Sequence, residues 1–390
     1  MRRGNGGPAG KRRRMPLGLV ILLDALTLAV ALNVFALFHH VLPKNMETEE
    51  PRRTSVIPVP SPALDSSAAN APTPVPTASR VEVTAVPAAE PAPAAEPERV
   101  ETEPPAEEKT GWAKTFELHF TDRVVVTENG YSSPNVAVEL HQGELETKNG
   151  RNVYYVADIY VTDVRSIRGY LAHDTYGRGI VQDPLEMAAE SGAIAAVTGD
   201  VYAFQGASLM LRNGELYRDG IWQTYQTHCA LFYDGTMVTY GPEELDLEQV
   251  MADGAWQIWS FGPVLLDNEG NIPASFDGGM AVSDPNPRSG IGYFEPGHYC
   301  FVVVDGRRPS YSYGVTYEEF ASIFQSLGCK TAYNLDGGGS AVMTYLDGLV
   351  NQPSGGGRDL SDIITVVEPP AEEPVPAEEA AEAAEGAAEQ

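Results

Sequence analysis

The chain has 390 residues, and 54 acidic residues against 26 lysines and arginines give it a formal net charge of -28 at pH 7. This composition excludes nucleic acid as an expected partner, because nucleic-acid-binding proteins present a basic surface to the phosphates. An anionic substrate needs a local cluster of arginines to overcome the negative field of the whole molecule.

The N-terminus has the pattern of a membrane anchor. Six of the first fourteen residues are Lys or Arg, and a hydrophobic run at residues 15–42 follows them directly. This run exceeds the ~20 residues that a membrane helix needs, and it does not end in the small-residue cleavage site of a signal peptide. We therefore predict a cytoplasmic N-terminus at residues 1–14, a single uncleaved transmembrane helix in a bacterial cell membrane, and an extracellular remainder.

Two further segments have the composition of disordered chain. Residues 43–110 are rich in Pro, Ala and Glu, and residues 369–390 consist mostly of Ala and Glu. Such sequences bury too little apolar surface to fold, and the many prolines extend the first segment. We predict a disordered linker at 43–110, one large domain at 111–368 and an acidic disordered tail at 369–390.

The chain has three cysteines, Cys229, Cys300 and Cys329. An odd and low number argues against a disulfide framework. Cys300 opens an apolar strand and Cys329 closes a helix-to-strand turn, so the two are possible neighbours, but buried thiols are the default expectation.

The first half of the domain is predicted to consist of strands and hairpins. A helix at Asp183–Ser191, with Gly192 as its C-cap, precedes a short buried strand that ends in the polar turn Gly199-Asp200. Hairpins centred on Asn213-Gly214 and Asp234-Gly235 follow. The other predicted strands, which are β-branched or alternating, lie at 123–127, 136–140 and 153–161.

In the second half of the domain, the sequence pattern predicts a strand at 256–266, a buried strand at 299–305, a helix at Thr316–Leu327 and a strand at 331–335. Thr316 and Glu319 have the spacing of a capping box. Strand, helix and strand over so short a span predict a βαβ crossover with parallel strands. Asp305 and Asp336 would then follow strands at the same edge of a sheet, where open α/β sheets bind ligands.

The predicted fold class is α+β (mixed α/β), with a central mixed β-sheet, flanking helices and β-hairpins. The most informative motif in it is Asn334-Leu335-Asp336-Gly337-Gly338-Gly339-Ser340. Three consecutive glycines forfeit side-chain packing and lose the most backbone entropy on folding. Two interpretations of the motif remain open. It is either a tight structural turn or a ligand site in which amides converge on an anion. No Lys and no helix pattern follow the glycines, so a phosphate-binding P-loop is excluded.

Other polar clusters lie at strand ends or in turns, at 199–200, 287–289, 305–308 and 355–359. Seven motifs occur in a fixed order, namely TGDVYAF, LRNGELYR, FGPVLL, NPRSGIG, VVVDGR, AYNLDGGGSAVM and RDLSDIITV. With them the region from Asn135 to Val367 resembles the phosphodiester glycosidase family. The chain departs from the common pattern at Thr198, where members usually have Asn, and at 286–290, where they often have His-Pro-Arg-Thr-Ala.

This resemblance implies cleavage of a sugar-1-phosphodiester at the anomeric carbon. A phosphodiester leaves as a stable anion, so positive charge at the phosphate and a carboxylate near the anomeric carbon matter more than a strong general acid. Asp336 is the first candidate for that carboxylate, with Asp305 and Asp200 as rivals or orienting groups. Arg288 is the first candidate for the phosphate, followed by Arg358 and Arg307. The further candidates for substrate binding are Asn334, Gly337, Gly338, Gly339, Ser340 and Ser289.

We therefore predict a membrane-anchored extracellular hydrolase that cleaves sugar-1-phosphodiester bonds in cell-envelope or exopolysaccharide glycans. The alternative is a non-catalytic surface carbohydrate-binding protein with the same fold. No cofactor and no metal site is predicted, although clustered acids leave a divalent cation such as calcium open. The expected partners are a phosphorylated glycan and the membrane; the sequence determines neither the sugar nor the oligomeric state.

Overall fold

The computed structural model describes residues 52–53, 110–220, 226–276 and 284–370. The predicted cytoplasmic segment and transmembrane helix, most of the linker and nearly all of the acidic tail lie outside these residues. Those predictions therefore stay predictions. Within the described ranges, no helix is both long enough and apolar enough to cross a membrane.

Strands dominate the described part of the chain. They are β1 (Arg52–Arg53), β2 (Val125–Thr127), β3 (Gly130–Ser132), β4 (Val136–Thr147), β5 (Gly150–Val161), β6 (Ile167–Leu171), β7 (Thr175–Tyr176), β8 (Ala195–Thr198), β9 (Met210–Arg212), β10 (Glu215–Arg218), β11 (His228–Phe232), β12 (Met237–Tyr240), β13 (Ala255–Trp259), β14 (Val264–Leu266), β15 (Arg288–Glu295), β16 (His298–Val304), β17 (Thr331–Asn334), β18 (Met343–Tyr345), β19 (Gly348–Leu349) and β20 (Asp362–Val366).

The α-helices are few and short. They are α1 (Gly111–Thr115), α2 (Pro184–Ser191), α3 (Leu247–Ala252) and α4 (Tyr317–Leu327). Short 3₁₀ turns connect several strands, and two of them, Tyr202–Phe204 and Gly338–Ser340, border the site described below.

The strands form three main sheets. Sheet I has eight strands in the order β14-β17-β15-β16-β5-β4-β3-β2, sheet II has the order β19-β18-β8-β20-β6, and sheet III has the order β10-β9-β13-β11-β12. Every strand pairing within the described residues is antiparallel. The prediction of helices, hairpins and a sheet is confirmed, but the prediction of a mixed sheet is wrong.

The crossover from β16 through α4 to β17 explains this error. β15 lies between the two strands and pairs antiparallel with both of them, so β16 and β17 run in the same direction without touching. A hairpin turn joins β15 to β16, so β15 already occupies the edge of β16 when the chain returns from α4. Asp305 and Asp336 nevertheless follow strands at the same edge of sheet I, as predicted.

The three sheets share one hydrophobic core. Leu231 of β11 and Ile364 of β20 pack there with Phe301 of β16, so each sheet contributes. Alternate residues of the same strands point outward, as Val302 of β16 does, and are covered by helices. Phe320 and Phe324 of α4 cover sheet I, while α2 and α3 cover the outer faces of sheets II and III. The central strands β8, β11, β13 and β20 are therefore buried on both faces, which explains their continuous apolar runs.

The predicted strand at 256–266 is wrong in one respect. The chain leaves sheet III after β13 and enters sheet I at β14, so the apolar run forms two strands in two sheets. Between them Gly262 has φ = +84° and the Gly262-Pro263 peptide bond is cis. The positive φ of Gly262 and the missing N–H of Pro263 prevent a continuous strand ladder here.

The predicted capping box of α4 is confirmed. Thr316 Oγ1 accepts the Glu319 N–H at 3.2 Å, and Glu319 Oε2 accepts the Thr316 N–H at 2.9 Å. Gly328 ends the helix with φ = +90°. Asp183 caps α2 through the N–H groups of Leu185 and Glu186, and Gly192 ends that helix as predicted.

Substitution of the cap residue in Thr316→Ala is expected to lower the free energy of unfolding by about 1 kcal/mol, because the Glu319 N–H loses its acceptor. Urea unfolding measures this loss. Ser326→Ala is the matched control, since the Ser326 hydroxyl is exposed and bonds only to a carbonyl of its own helix. Equal stability of both variants would contradict the assigned cap.

Candidate active site

A cavity of about 540 Å³ opens where β8 and β17 end and β20 begins. Its lining combines apolar side chains with carboxylates, hydroxyls and a guanidinium group. The lining residues are Val181, Thr198, Val201, Phe204, Asp336, Ser340, Arg358, Asp359, Leu360, Ser361 and Asp362. Such a mixture of apolar surface with a few convergent polar groups is typical of sites for small ligands.

Asp336 lies in this cavity directly after β17. Its Oδ1 accepts the Gly337 N–H at 2.8 Å, and its Oδ2 accepts from Arg358 Nη2 at 3.0 Å. Arg358 Nε also donates to Ser340 Oγ at 2.5 Å. The side chain of Arg358 is 56% exposed, whereas that of Asp336 is 12% exposed. The structure thus places a held carboxylate beside an accessible positive charge.

The backbone of the Asp336 segment is joined to the other motifs of the sequence. Leu335 N–H donates to the Ser289 carbonyl, Asp336 N–H to the Gly199 carbonyl, and Gly338 N–H to the Pro287 carbonyl. The predicted clusters at 199–200, 287–289 and 334–340 therefore meet at one place in the fold.

The surroundings of the three consecutive glycines differ, and so does the reason for glycine at each position. A Cβ on Gly337 would lie 2.7 Å from the Pro287 carbonyl oxygen, and one on Gly338, where φ is +65°, would lie 2.9 Å from Arg307 Nη2. At Gly339 the nearest atom to an added Cβ is Arg358 Cδ, at 3.8 Å. Close approach of a backbone oxygen thus requires glycine at 337, the left-handed backbone favours it at 338, and no close contact requires it at 339.

The predicted nest of glycine amides is partly occupied by the protein itself. Gly337 N–H donates to Asp336 and Gly338 N–H to Pro287. An anion at this motif would therefore meet the guanidinium groups of Arg307 and Arg358 rather than a row of three unused amides. Arg307 is exposed and donates through Nε and Nη2 to Asn286 Oδ1, at 3.2 and 3.0 Å.

Arg288, the first candidate for the phosphate, lies elsewhere. It is buried, its Nε donates to the Val315 carbonyl and its Nη2 to the Asp284 carbonyl, both at 3.1 Å. Its guanidinium carbon is 3.8 Å from the ring centroid of Tyr317, and burial lowers the pKa of the group. These contacts fix the loop before β15 to the start of α4, and the residues that line the cavity do not include Arg288.

Asp305 is also held away from the cavity lining. Its carboxylate accepts from Asn351 Nδ2 at 2.8 Å, the Gln352 N–H at 3.0 Å and the Tyr311 hydroxyl at 3.0 Å. Burial raises its pKa, and the bonds from these three donors oppose the rise. Asp305 thus anchors the loop at 351–352 to the end of β16.

Asn334 and Ser289 are buried beneath the Asp336 segment. Asn334 Nδ2 donates to the Gly262 carbonyl at 2.8 Å, which joins β17 to the turn between β13 and β14. Ser289 lies inside sheet I, and its hydroxyl has no hydrogen-bond partner among the described residues. Neither side chain belongs to the cavity lining, whereas the predicted Ser340 does.

Asp200, the third carboxylate candidate, belongs to a buried ion cluster under the cavity. Arg212 Nη2 lies 2.7 Å from Asp200 Oδ1 and 3.2 Å from Asp362 Oδ2. All three side chains are at most 2% exposed. Asp200 Oδ2 also accepts the Ser260 N–H at 2.9 Å. This buried position fits a role for Asp200 in orienting a neighbouring group, which was one of its predicted roles. It fits direct contact with substrate less well.

Asp362 joins this cluster to the cavity and was missed as a site residue by the sequence analysis. Its carboxylate accepts from the N–H groups of Asp200 and Val201, at 3.3 and 3.2 Å. Burial and the negative charge of Asp200 raise the pKa of Asp362 to about 6, and Arg212 opposes the rise. A Cβ on Gly199 would lie 2.1 Å from Asp362 Oδ2, so the glycine of the Gly-Asp turn admits this carboxylate.

The apolar rim was also missed. Phe204 lines the cavity and is 62% exposed, which is unusual for a ring of this size. Val201, at the start of the same 3₁₀ turn, has φ = +57°, an outlier for a β-branched residue. Both residues lie in the TGDVYAF motif. An aromatic residue shortly after the Gly-Asp turn was therefore the sequence signal that could have identified this rim.

Within the described ranges, no group of three or more His, Cys, Asp or Glu side chains is arranged to hold a metal ion.

Comparisons with known proteins place this geometry in context. The uncharacterised SPbeta prophage-derived protein YomE of Bacillus subtilis is 30% identical over 190 residues, which are 47% of this chain and 29% of that protein. The chain therefore spans less than a third of this relative's length.

Two solved structures are similar to the chain. The catalytic domain of zebrafish N-acetylglucosamine-1-phosphodiester alpha-N-acetylglucosaminidase, auto-inhibited by its pro-peptide, is 21% identical with a TM-score of 0.49, over 60% of this chain and 84% of that one. A hypothetical protein from Synechocystis is 14% identical with a TM-score of 0.41, over 60% of this chain and 62% of that one.

The family comparison agrees with the motifs. Residues 191–367 match the model of the phosphodiester glycosidase family, and this range contains Asp200, Asp336, Arg358 and Asp362. This match confirms the resemblance inferred from the sequence, and it makes residues 191–367 a phosphodiester glycosidase-like region of the chain.

Proposed function

We propose that this chain is a membrane-anchored extracellular hydrolase that cleaves sugar-1-phosphodiester bonds in cell-envelope or exopolysaccharide glycans. The family match supports a hydrolase that acts on phosphodiester-linked sugars. The basic N-terminus, the hydrophobic run and the Pro-rich linker support the anchor and the export of the domain.

The observation that carries the proposal is the Asp336–Arg358 pair in the cavity. In a sugar-1-phosphodiester a single oxygen separates the anomeric carbon from phosphorus, so a site needs a carboxylate and a cation side by side. Asp336 Oδ2 and Arg358 Nη2 are 3.0 Å apart, and the guanidinium group is accessible. Arg307 lies at the other side of the glycine motif and adds a second positive charge for an anionic group.

The sugar would lie against the apolar part of the cavity lining. This part is formed by Phe204, Val201, Val181 and Leu360, and the exposed ring of Phe204 matches the apolar face of a pyranose. The Ser340 and Thr198 hydroxyls line the same cavity and are placed to hydrogen-bond sugar hydroxyls.

The chemistry then needs little proton transfer to the leaving group. The phosphate monoester departs as an anion that Arg358 stabilises, while Asp336 acts on the anomeric carbon as nucleophile or as base for water. The Gly337 N–H and Arg358 keep the carboxylate in place for either role. Asp200, Arg212 and Asp362 support the floor of the cavity, and Arg288, Asp305, Asn334 and Ser289 position the segments around it.

A substrate comparison tests the proposal. The full-length protein, purified in detergent, is offered a synthetic sugar-1-phosphodiester and the matching O-glycoside without phosphate, and the release of reducing sugar is measured. We expect turnover of the phosphodiester and little turnover of the O-glycoside, because the latter lacks an anionic leaving group. Equal rates for both substrates would contradict the assigned phosphate site.

Removal of the guanidinium group in Arg358→Met is expected to lower kcat/KM for the phosphodiester roughly 10- to 100-fold, since a charge-assisted hydrogen bond to the phosphate is lost. Steady-state kinetics measures the change. The control is Arg123→Met, which removes one positive charge from an exposed position outside the cavity lining. A similar fall in both variants would show that net charge rather than Arg358 binds the phosphate.

One observation favours the alternative of a carbohydrate-binding protein without turnover. Thr198, which stands where related sequences usually have Asn, lines the cavity itself. Binding of a phosphorylated glycan by the wild type, with no product after prolonged incubation, would establish this alternative. Recovery of turnover in Thr198→Asn would then identify the residue responsible.

A further inference from the structure

Two of the three cysteines meet inside the domain. Cys300 is in β16 and Cys329 is in the turn between α4 and β17, 29 positions further along the chain, and their sulfur atoms are 3.7 Å apart. Both are buried free thiols. The third, Cys229, lies in β11 of sheet III, within the core that the three sheets share.

Gly292 of β15 makes the room in which the sulfur atoms meet. It pairs with Cys300 on one side and with Ala332 of β17 on the other. A Cβ on Gly292 would lie 2.8 Å from the sulfur of Cys300, 2.8 Å from that of Cys329 and 2.8 Å from Cδ1 of Phe324. The φ of Gly292 is not among the positive values of the chain, so the backbone does not demand glycine here. The absence of a side chain at Gly292 leaves the space that the two thiols occupy together with the ring of Phe324.

We propose that Cys300 and Cys329 form a disulfide bond when the domain folds in an oxidising compartment. A sulfur separation of about 2.05 Å requires only a short closing movement of two small side chains from the present 3.7 Å. The two S–H bonds break and one S–S bond forms. The two electrons and two protons pass to a small-molecule disulfide or a disulfide oxidoreductase, which is reduced to its thiols.

The setting determines when the bond can form. Burial and the neighbouring thiol raise the pKa of Cys300, so the folded domain holds little of the thiolate that attacks a disulfide. Formation therefore belongs to folding, before α4 closes over sheet I. The cross-link would tie the end of the β16–α4–β17 crossover to its beginning, and this crossover carries both Asp305 and Asp336 at its strand ends.

Oxidative refolding of the full chain tests the proposal without any substitution. The protein is reduced and unfolded, refolded with reduced and oxidised glutathione, alkylated in denaturant and digested with trypsin without reduction. Trypsin cleaves after Arg307, whereas Pro309 protects the bond after Arg308, so a bond between Cys300 and Cys329 joins two peptides. Mass spectrometry is expected to find this pair, lighter by two hydrogen atoms than the separate peptides, with Cys229 alkylated.

Two variants complete the test. Cys229→Ala is expected to keep the cross-link, and Cys329→Ala is expected to lose it. Oxidation should raise the melting temperature of the wild type and of Cys229→Ala by roughly 5–10 °C and leave that of Cys329→Ala unchanged. Alkylation of all three cysteines after oxidative refolding, or a cross-link that includes Cys229, would overturn the proposal.

Discussion

Replacement of Asp336 by asparagine is expected to reduce the hydrolysis of a sugar-1-phosphodiester roughly 1000-fold. The amide keeps the size of the carboxylate, and its oxygen still accepts from the Gly337 N–H or from Arg358. The negative charge that acts on the anomeric carbon or on water is lost. The stability should change by less than about 1 kcal/mol, because the pair with the exposed Arg358 contributes little to folding.

Measurement of kcat for sugar release, together with thermal unfolding, checks this expectation. Asp347→Asn is the matched control, because Asp347 is an exposed aspartate in the turn after β18 and lies outside the cavity lining. A substitution that leaves more than about a tenth of the wild-type turnover would remove Asp336 from the chemistry. Asp362, the buried carboxylate on the floor of the cavity, would then be the next carboxylate to replace.

The second large effect concerns stability. Substitution of Arg212 by methionine is expected to lower the free energy of unfolding by about 3–5 kcal/mol. Methionine fills part of the space but leaves Asp200 and Asp362 buried together without their cation. Guanidinium unfolding measures the loss. Arg151→Met is the control, because it breaks only the exposed pair with Glu144 and should leave the stability nearly unchanged.

The pH dependence of this variant provides an independent check. The pKa of Asp362 is already raised to about 6 in the wild type, and loss of Arg212 raises it further. A carboxyl whose folded pKa lies above its unfolded pKa stabilises the protein at low pH, and this contribution is lost as the pH rises through the folded pKa. The deficit of Arg212→Met should therefore be smaller at pH 5 than at pH 8. A deficit that is independent of pH, or equal to that of Arg151→Met, would contradict the ion cluster.

Local signals predicted the local structure correctly. The cap of α4 by Thr316 and Glu319 and the end of that helix at Gly328 depend on neighbours in sequence, and both are present. The hairpins at Asn213-Gly214 and Asp234-Gly235 likewise follow from turn residues. The common edge of Asp305 and Asp336 was predicted correctly. The two strands that a crossover joins run in the same direction whether or not they are adjacent in the sheet.

The long-range pairs could not be predicted in the same way. Arg212 and Asp362 are 150 positions apart, and no periodicity in the sequence joins them. Asp362 begins an apolar strand, so its pattern indicates sheet II rather than a site. Arg288 shows the opposite case, because its position in a motif at the start of a strand is typical of a ligand-binding residue, whereas it lies outside the cavity lining. Only the fold shows that two backbone carbonyls and the ring of Tyr317 surround it.

The glycine motif combines both cases. The lost packing and the entropic cost of three consecutive glycines were visible in the sequence. Close approach of other groups was the predicted reason for accepting this cost. The fold identifies these groups as the Pro287 carbonyl and Arg307, while Gly339 lies near Arg358. The motif is therefore a tight turn and a cavity border at once, and the two alternatives left open by the sequence are not exclusive.

The central claim is that this cavity breaks the bond between the anomeric carbon and the phosphate oxygen. Hydrolysis of a sugar-1-phosphodiester in water enriched in ¹⁸O, with mass spectrometry of both products, tests it most directly. We expect ¹⁸O on the anomeric carbon of the released sugar and none in the phosphate monoester, whether Asp336 acts as nucleophile or as base. Label in the phosphate, which would mean attack on phosphorus, would contradict the account.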